Sequence, residues 1–421
     1  MITLMDHQVS AVEFFEKSGR ALLYHATGTG KSFTILECAR RVWEKHGSQS
    51  PVLILCPASV VKQWHEEARK YLGINCFDDY ALLVTNYEKL LNKELSAKLV
   101  STKWMLIAAD ECQKISNPGA RSTKAFKKLS TTYKIAASAT PSSNSALHEL
   151  WSVVDWLYPS LLEASFWKFK QYQCLTNYFG GITGYKDEES IRTKIAPLIH
   201  RIEKSVLTDL PPLVERVITV HLNEHHREVY EKMKKECQIE IAGKKILIPN
   251  AVAMINKMRQ MTDTPSSLGV EIASPKMKAL HVLLESKTPT IVFVEYQASA
   301  AEIGEAFNCP IITGQTTMAA RHKIISEFQE GEHDVIVGTY AMAVGINAQH
   351  CQRVISYSQY WNPSRMDQAV GRSWRKGQTN TVEHITLIAE RTVDEKIARL
   401  IDKKRNAESK FSREEILSLL Q

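Results

Sequence analysis

The stretch from His25 to Ser32 constrains the fold of this chain more than any other part of it. It reads His-Ala-Thr-Gly-Thr-Gly-Lys-Ser, follows an apolar strand at residues 21–24, and runs into a helical pattern that begins near Phe33. A glycine-rich turn between a strand and a helix can hold a triphosphate, because backbone N–H groups and the helix N-terminus surround the phosphates. In such a turn Lys31 reaches the β- and γ-phosphates and Ser32 coordinates Mg²⁺. His25 stands where the full pattern has a glycine, so the assignment depends on the rest of the chain.

Length and composition indicate an ordinary globular protein with room for two or three domains. The chain has 421 residues, of which 44% are hydrophobic and 24% charged, and its formal net charge is +7. This mild basic excess permits a polyanionic partner without requiring one. No segment resembles a signal peptide or a membrane span, and the eight cysteines are scattered without a C-x-x-C pair. That distribution argues against zinc and disulfides, and it predicts a reducing, cytoplasmic or otherwise intracellular location.

Short apolar runs alternate with helical segments along the chain, which is typical of helices layered on a parallel sheet. We expect buried strands at residues 21–24, 52–55, 81–84, 104–108 and 133–137 in the first half, and at 290–294, 310–313, 334–337, 353–357 and 384–388 in the second. The region between, residues 151–261, is richer in helix formers, aromatic residues and charge. The pattern therefore predicts two α/β lobes bridged by a largely helical insertion.

The tail from Thr392 to Gln421 has a helical pattern and contains a basic cluster, Lys403 to Arg405. That cluster fits a solvated helix face as well as it fits a contact with nucleic acid.

An acidic pair, Asp110 and Glu111, directly follows the apolar strand at residues 104–108. Acidic residues at the carboxyl end of a buried parallel strand lie at the edge where ligands bind. There Asp110 can hold the Mg²⁺ shell and Glu111 can orient the attacking water. Two adjacent carboxylates can also be a charge pair at a helix N-terminus. A third element, Ser138-Ala139-Thr140-Pro141, could pass information from the phosphate site to a second ligand, or be a simple turn.

In the second half, Gln368 to Gln378 contains Arg372 and Arg375, three residues apart. On one helix the two arginines would share a face. Phosphoryl transfer needs positive charge on the developing γ-phosphate, and guanidinium groups supply it. Arginines on a second lobe would make hydrolysis depend on lobe closure. The alternative is a basic helix that pairs with acidic neighbours.

The order of these elements resembles superfamily 2 helicase-type ATPases, and within them the Swi/Snf-type family of double-stranded-DNA translocases. The matching motifs span nearly the whole chain in an ordered, specific set. In the first half they are residues 5–8 (an adenine-reading Q-type element), 27–32 (motif I), 55–64 (Ia), 85–88 (Ib), 110–118 (II) and 138–141 with 149–151 (III). In the second they are residues 206–212 (a D-L-P-P linker), 338–340 with 344–347 (V), 360–363 (the hallmark Y-W-N-P), 368–378 (VI) and 392–397 (a brace helix).

The resemblance implies two RecA-like P-loop lobes with parallel sheets, helical protrusions between them and a C-terminal brace helix. We expect the first lobe at residues 1–160, the protrusions and linker at 161–265, and the second lobe with the brace at 266–421. It also implies ATP and Mg²⁺ as cofactors and DNA as the partner, with duplex preferred over forked or single-stranded DNA. A motor this compact suggests a bacterial, archaeal or viral source.

The same resemblance implies a set of site residues. ATP is expected to contact Gln8, Thr27, Gly28, Thr29, Gly30, Lys31, Ser32 and Gly345, with Ser32 and Asp110 holding Mg²⁺. The expected catalytic residues are Lys31, Asp110, Glu111, Gln368, Arg372 and Arg375. The DNA strand is expected to contact Ser59, Thr85, Asn86, Gly314 and Thr339, where hydroxyls and backbone amides hold phosphates without reading sequence.

Two positions depart from the family pattern: His25 replaces an aspartate, and Gln113 replaces the histidine of D-E-A-H. Gln113 can still hydrogen-bond toward motif III, which would preserve coupling. The resemblance thus implies an ATP-dependent, sequence-independent duplex translocase. Three alternatives stay open: a strand-separating or annealing helicase acting on forked DNA, a motor that strips proteins from DNA, and a non-catalytic DNA-binding scaffold.

Overall fold

The computed structural model describes residues 3–140, 146–203, 206–207, 210–241, 248–343, 348–361, 363–375 and 377–407. The chain divides into two compact units, residues 1–208 and 209–421. The segment predicted as protrusions and linker, residues 161–265, contributes to both units. In the part of the chain that the structure describes, no helix combines the length and apolarity needed to cross a membrane.

The first unit is built on a sheet of six parallel strands in the order β3-β2-β4-β5-β1-β8, with a separate antiparallel hairpin, β6-β7. Its strands are β1 (Arg20–His25), β2 (Val52–Cys56), β3 (Leu82–Asn86), β4 (Trp104–Asp110), β5 (Thr131–Ser138), β6 (Cys174–Thr176), β7 (Ile182–Tyr185) and β8 (Ile199–Ile202). Its helices are α1 (Asp6–Ser18), α2 (Lys31–His46), α3 (Val61–Leu72), α4 (Cys76–Asp79), α5 (Lys93–Ser101), α6 (Arg121–Phe126), α7 (Leu147–Leu157), α8 (Phe166–Gln173) and α9 (Glu188–Ile195).

Alternate residues of each central strand of this sheet enter two separate cores, because successive side chains point to opposite faces. In β1, Ala21 and Leu23 join a cluster with residues of α1, α2 and α3. Leu22 between them joins a second cluster with residues of α5, α6 and α7. Helices therefore cover both faces of the sheet, which explains why its strands are continuous apolar runs.

The second unit has the same design, with a parallel sheet in the order β11-β12-β10-β13-β14-β9. Its strands are β9 (Leu213–Val220), β10 (Thr290–Val294), β11 (Ile311–Ile312), β12 (Val335–Thr339), β13 (Arg353–Ser356) and β14 (Val382–Ala389). Its helices are α10 (Glu224–Ile241), α11 (Ile248–Asp263), α12 (Pro275–Leu284), α13 (Gln297–Phe307), α14 (Met318–Gln329), α15 (Pro363–Val370) and α16 (Val393–Ala407). The predicted C-terminal brace helix is α16, and its Val393, Ile397 and Ile401 share a core with Tyr230 of α10 and Ile255 of α11.

The prediction of two lobes built on parallel sheets is confirmed, and each of the ten strands expected from the sequence overlaps an observed strand. The prediction that residues 151–261 are largely helical is only partly right, because that region also contains β6, β7, β8 and β9. Strand β8 is the parallel edge strand beside β1, and β9 is the parallel edge strand beside β14. Strand β8 is half-buried and contains His200 and Arg201, and most residues of β9 are exposed, so neither has the apolar run by which the central strands are recognised.

The register of the first sheet positions the site. In parallel pairing, Tyr24 of β1 stands beside Ser138 of β5, and Ala137 of β5 stands beside Asp110 of β4. Three neighbouring strands therefore end at the same edge of the sheet. The loops that follow them carry the glycine-rich turn, the acidic pair and the Ser138 segment.

Candidate nucleotide-binding site

The glycine-rich turn connects β1 directly to α2, which begins at Lys31. Gly30 has a φ of +78°, a backbone conformation that favours glycine, and a side-chain carbon at this position would displace the Gln8 amide. The N-terminus of α2 has no side-chain cap. Its first backbone N–H groups are therefore left for an anion, as the sequence predicts for a phosphate site.

The side chain of Lys31 lies across this turn. Its Nζ donates to the carbonyl oxygens of His25, at 2.9 Å, and of Ala26, at 3.2 Å. Thr29 is fully buried, and its hydroxyl donates to the carbonyl of Ala26 at 2.8 Å. The remaining predicted nucleotide contacts of the turn, Thr27, Gly28 and Ser32, are half-buried. The turn thus holds its lysine amine close to the backbone that would surround the phosphates.

Two residues of α1 brace the turn from outside. The Gln8 amide nitrogen donates to the carbonyls of Thr29 and Gly30, while its oxygen accepts from the backbone N–H of Met5. The His7 Nε2 lies 2.9 Å from the carbonyl of Thr29. Gln8 is 3% exposed, and in this structure its amide fixes the P-loop backbone. Its role in reading adenine stays a prediction.

The acidic pair stands at the end of β4. Asp110 accepts two hydrogen bonds, from the Trp64 indole N–H of α3 at 2.9 Å and from the backbone N–H of Glu111 at 3.0 Å. Burial and repulsion from Glu111 raise the pKa of Asp110 to about 7, although the charge of Lys31 and the bond from Trp64 act in the opposite direction. The charge of Lys31 acts on this carboxyl, and only β5 separates the strands that carry the turn and the acidic pair, so the two lie at the same edge of the sheet.

Glu111 has a φ of +50°, in the left-handed region that non-glycine residues seldom occupy. Its carboxylate accepts from the Gln113 amide at 2.8 Å and from the Ser138 hydroxyl at 3.3 Å. The Ser138 hydroxyl also lies 2.7 Å from the Gln113 amide oxygen and accepts from the backbone N–H of Thr140 at 2.9 Å. The expectation that Gln113 hydrogen-bonds toward motif III is confirmed. We call Glu111, Gln113 and Ser138 the coupling triangle.

His25 is completely buried at the start of the turn, where its Nε2 lies 2.9 Å from Nδ1 of His200 in β8. Its Nδ1 has no hydrogen-bond partner among the described residues. Burial, together with the nearby charges of Lys31, His200 and His7, lowers the pKa of His25 to about 2. The imidazole is therefore neutral, and the position does not supply the negative charge of the aspartate found in the family pattern.

The predicted catalytic residues of the second unit surround the end of α15. Gln368 lies within this helix and is 7% exposed. The expectation that Arg372 and Arg375 share a helix face is wrong, because α15 ends at Val370 and both arginines lie in the turns that follow. Burial lowers the pKa of Arg321 of α14, and the charge of Arg372 acts in the same direction. The predicted nucleotide contact Gly345 lies outside the described residues.

The predicted nucleic-acid contacts are distributed over both units. In the first, Ser59 is half-buried in a single 3-10 turn, and Thr85 at the end of β3 is 4% exposed. The Asn86 side chain caps the turn after β3 by accepting from the Lys89 backbone N–H at 3.0 Å. In the second, Gly314 has open space beside it and Thr339 ends β12. All of these roles stay predictions.

Sequence reasoning missed two supports of the acidic pair. The Trp64 bond to the Asp110 carboxylate joins positions far apart in sequence, as does the bond from the Tyr87 hydroxyl to the Asp110 carbonyl at 2.7 Å. Both aromatic residues are 2% exposed. Both residues lie inside the motifs Ia and Ib that the sequence identified. Because a buried indole N–H or phenol O–H needs a hydrogen-bond partner, their position there could have indicated a polar contact.

The residues at this edge fit a magnesium nucleotide. Burial, together with the neighbouring Glu111 carboxylate, raises the pKa of Asp110 despite Lys31, so a divalent cation would stabilise the ionised form of this carboxyl. The Asp110 carboxylate and the Ser32 hydroxyl are oxygen donors of the kind that Mg²⁺ prefers. Within the described residues, no group of three or more His, Cys, Asp or Glu side chains could hold a metal unaided.

Comparison with known families decides the classification. The SNF2-related domain model matches residues 7–267, which is more than half of the chain. The chain belongs to the SNF2-related family. The helicase conserved C-terminal domain matches residues 275–377. Together the two domains identify a Swi/Snf-type ATPase core of the superfamily 2 helicases, and the resemblance drawn from the sequence is confirmed.

Individual relatives of this SNF2-related chain are distant in sequence. An uncharacterized ATP-dependent helicase of Mycoplasma pneumoniae is 27% identical and matches 98% of this chain but 42% of its own length. Zorya protein ZorD of Escherichia coli is 27% identical and matches 90% of this chain and 42% of its own. The chain thus spans less than half the length of these relatives. A solved structure, the Sulfolobus solfataricus SWI2/SNF2 ATPase core in complex with dsDNA, is 26% identical with a TM-score of 0.46, covering 97% of this chain and 92% of that one.

Proposed function

We propose that this chain couples ATP hydrolysis to sequence-independent movement along double-stranded DNA. The observation that carries the proposal is the coupling triangle, because it connects the carboxylate that would act on water with the strand end that carries motif III. In that position the connection can pass a change at the phosphate site to a second ligand. The basic net charge of +7 and the helicase names of relatives support a nucleic-acid track.

Each residue at the sheet edge has a distinct task in this proposal. Lys31 leaves its carbonyl partners to bind the β- and γ-phosphates, while the α2 N–H groups hold the same phosphates. Glu111 orients the attacking water and takes up its proton. Ser32 and Asp110 hold Mg²⁺, which when bound neutralises charge on the phosphate oxygens. Gln8 and Thr29 stabilise the conformation of the loop through their hydrogen bonds. Thr27, Gly28 and Gly30 allow the phosphates to approach the backbone.

The second unit supplies the remaining groups. Arg372 and Arg375 carry the positive charge that stabilises the transferring phosphoryl group, and Gln368 supports them. Gly345 completes the nucleotide contacts. Ser59, Thr85, Asn86, Gly314 and Thr339 hold one strand of DNA through its phosphates, so that binding is independent of sequence and sensitive to salt. Duplex DNA is the preferred track in this account.

A steady-state ATPase assay with single-stranded DNA, blunt duplex, forked DNA and RNA tests the proposal. We expect stimulation by blunt duplex that grows with duplex length, and no activity in Lys31→Ala. Glu111→Gln should lower kcat by about a hundredfold or more while ATP binding persists, because general-base catalysis contributes that much. A rate that no nucleic acid changes would refute the proposal. Turnover that Glu111→Gln leaves intact would refute the assigned chemistry.

One observation favours a second candidate, a helicase that acts on forked DNA. The β6-β7 hairpin presents two aromatic side chains, Tyr178 and Phe179, that are almost fully exposed. A preference for forked over blunt DNA in the same assay would select this candidate.

A further inference from the structure

The hairpin formed by β6 and β7 exposes large aromatic rings that serve no visible packing purpose. At its turn Tyr178 is 97% exposed and Phe179 is 84% exposed. Trp167 and Tyr172 of the preceding helix α8 are also more than half exposed, at 66% and 53%. Exposed aromatic rings in this number indicate a binding surface, because burying them elsewhere would stabilise the fold. We call residues 174–185 the aromatic hairpin.

The turn of the aromatic hairpin is fixed by its own hydrogen bonds. The Asn177 side-chain oxygen accepts from the backbone N–H groups of Phe179, at 3.1 Å, and Gly181, at 2.8 Å. The backbone N–H of Asn177 donates to the carbonyl of Gly181 at 2.9 Å, and Gly180 takes a φ of +76° that suits glycine. The Tyr178 and Phe179 rings lie edge to face, 5.4 Å apart. The backbone that carries the two rings is therefore fixed before any partner arrives, which lowers the entropic cost of binding.

The base of the hairpin is anchored in the core of the first unit. Cys174 is buried in a cluster with Trp151 of α7 and Phe169 of α8. The Tyr185 hydroxyl accepts from the backbone N–H of His148, at 3.0 Å, and lies 2.8 Å from its Nδ1. His148 belongs to α7, the helix that follows the motif III segment. The tip is thus connected through one helix to the region of the coupling triangle.

The charge around the tip favours a polyanion. Lys168, Lys170 and Lys186 lie next to the hairpin, and one acidic residue, Glu163, precedes α8 and accepts from the Gln173 amide at 3.2 Å. The Lys170 amine lies 3.4 Å from the position that a side-chain carbon on Gly180 would occupy, so one positive charge stands at the turn itself. The acidic residues Asp187 to Glu189 come after the hairpin, at the start of α9. Lysines beside exposed rings suit a strand of phosphates and bases better than an apolar protein surface.

We propose that the tip of the aromatic hairpin stacks on unpaired nucleobases of DNA, where a duplex opens into single strands. Tyr178 and Phe179 provide faces on which bases of any sequence can stack, and the lysines contact the flanking phosphates. Paired bases inside a duplex offer no free face, so the hairpin distinguishes branched DNA from blunt DNA. The inference rests on the proposed function only in taking DNA as the track.

The test compares binding to forked and blunt DNA of the same sequence without ATP hydrolysis. The fork carries 2-aminopurine at its first unpaired position, and the affinity is read by fluorescence anisotropy. In the double variant Tyr178→Ser with Phe179→Ser we expect about tenfold weaker binding to the fork, because stacking contributes strongly for each base. Blunt-duplex affinity should change less than twofold. Binding of the wild type should quench 2-aminopurine, and the variant should not.

Two further variants make the result specific. Tyr178→Phe with Phe179→Tyr keeps both rings and should bind and quench as the wild type does. Ile74→Ser alters another exposed apolar residue of the first unit, at 81% exposure, and should change nothing. Circular dichroism of each variant checks that the fold is intact.

Unchanged fork affinity and quenching in the serine variant would overturn the inference and leave the hairpin as a surface for a protein. An equal loss on fork and blunt duplex would also overturn it, since the tip would then contact backbone alone. Failure of the proposed function is a different result: wild-type ATPase that no DNA stimulates. The binding assay remains readable in that case because it needs no turnover.

Discussion

At the scale of residues, Gln113 shows how a departure from the family pattern is accommodated. The family usually has histidine here, yet the Gln113 amide both donates to Glu111 and accepts from Ser138. A single side-chain amide has a donor and an acceptor at once, so it can join a carboxylate to a hydroxyl without a protonation change. The coupling triangle should therefore work over a wide pH range.

Removing the Ser138 hydroxyl tests the coupling triangle. In Ser138→Ala, Gln113 and Glu111 lose their link to motif III, so we expect the DNA-stimulated ATPase rate to fall about tenfold, the equivalent of one good hydrogen bond. The rate without DNA should stay within about twofold of the wild type. Ser152→Ala is the matched control, since Ser152 is buried in the same unit without a hydrogen-bond partner for its hydroxyl. Equal losses with and without DNA would show that the triangle serves catalysis rather than coupling.

Trp64 supports the carboxylate that we assign to Mg²⁺. Trp64→Phe keeps the ring in its buried place but removes the N–H that donates to Asp110. We expect about five- to tenfold more Mg²⁺ for half-maximal ATPase, because a hydrogen bond to a charged group is lost. In the control Trp104→Phe, the lost donor served the Leu99 carbonyl instead. A magnesium requirement that is the same in both variants would remove Trp64 from the site.

His25 should make the first unit sensitive to acid. Its pKa is about 2 when folded, against an ordinary value of 6.5, so below pH 6.5 the unfolded chain binds a proton that the folded chain does not. Above about pH 6.5 His25 does not reduce the free energy of unfolding. As the pH drops below that value the free energy of unfolding falls, by about 2 kcal/mol at pH 5. Urea unfolding at pH 8 and pH 5 should show this loss in the wild type and not in His25→Gln. His46→Gln, at an exposed histidine, is the control and should lose the same stability as the wild type. A His25→Gln variant that loses as much unfolding free energy between pH 8 and pH 5 as the wild type would contradict this role of His25.

Motif spacing was enough to predict where the glycine-rich turn and the acidic pair lie, because each follows its strand directly in sequence. Their roles in binding ATP and Mg²⁺ stay predictions. Motif spacing could not predict that Trp64 contacts Asp110 or that His25 contacts His200. Those pairs join distant segments, and their geometry depends on how helices and edge strands pack. The mistaken helix for Arg372 and Arg375 has a local cause: α15 ends before Gly371, and the spacing of three was read as helical.

At the scale of elements, the sequence predicted central strands well and edge strands poorly. The β10 strand is entirely buried, so its run of apolar residues is unmistakable. The β8 strand contains His200 and Arg201 and is only half-buried, so periodicity gave no signal. The aromatic hairpin was missed for a related reason, since its strands are only three and four residues long and Cys174 is their one fully buried residue.

A buried ion cluster connects three helices of the second unit. The Lys276 amine of α12 lies 2.5 Å from Asp263 of α11 and 2.6 Å from Asp394 of α16, and all three side chains are at most 5% exposed. Burial alone would lower the pKa of Lys276, but the two carboxylates raise it. The lysine is therefore charged, and it neutralises groups that could not otherwise be buried.

Lys276→Met should destabilise the second unit by roughly 3–5 kcal/mol, because it leaves two carboxylates buried without their cation. Denaturant unfolding measures the loss. Lys278→Met, on the exposed face of the same helix, is the control and should change stability little. A Lys276→Met variant as stable as the control would mean that water or a rearranged side chain replaces the amine.

At the scale of the whole molecule, the chain consists of two units with the same sheet design, and the sequence predicted this duplication because the strand pattern occurs twice. The boundaries were harder to place, since residues 161–265 mix helices, a hairpin and an edge strand for each sheet. A segment that mixes short helices and strands in this way shows no single hydrophobic periodicity from which its boundaries could be predicted. Assigning a segment to a unit requires knowing which sheet its strands join.

The most direct test of the central claim is displacement of a third DNA strand from a triplex placed within a blunt duplex. A motor that moves along duplex DNA should remove the third strand in the presence of ATP, without separating the two strands beneath it. Lys31→Ala should leave the triplex intact. Unwinding of a tailed duplex by a protein that cannot displace the third strand would contradict duplex translocation and establish a strand-separating helicase.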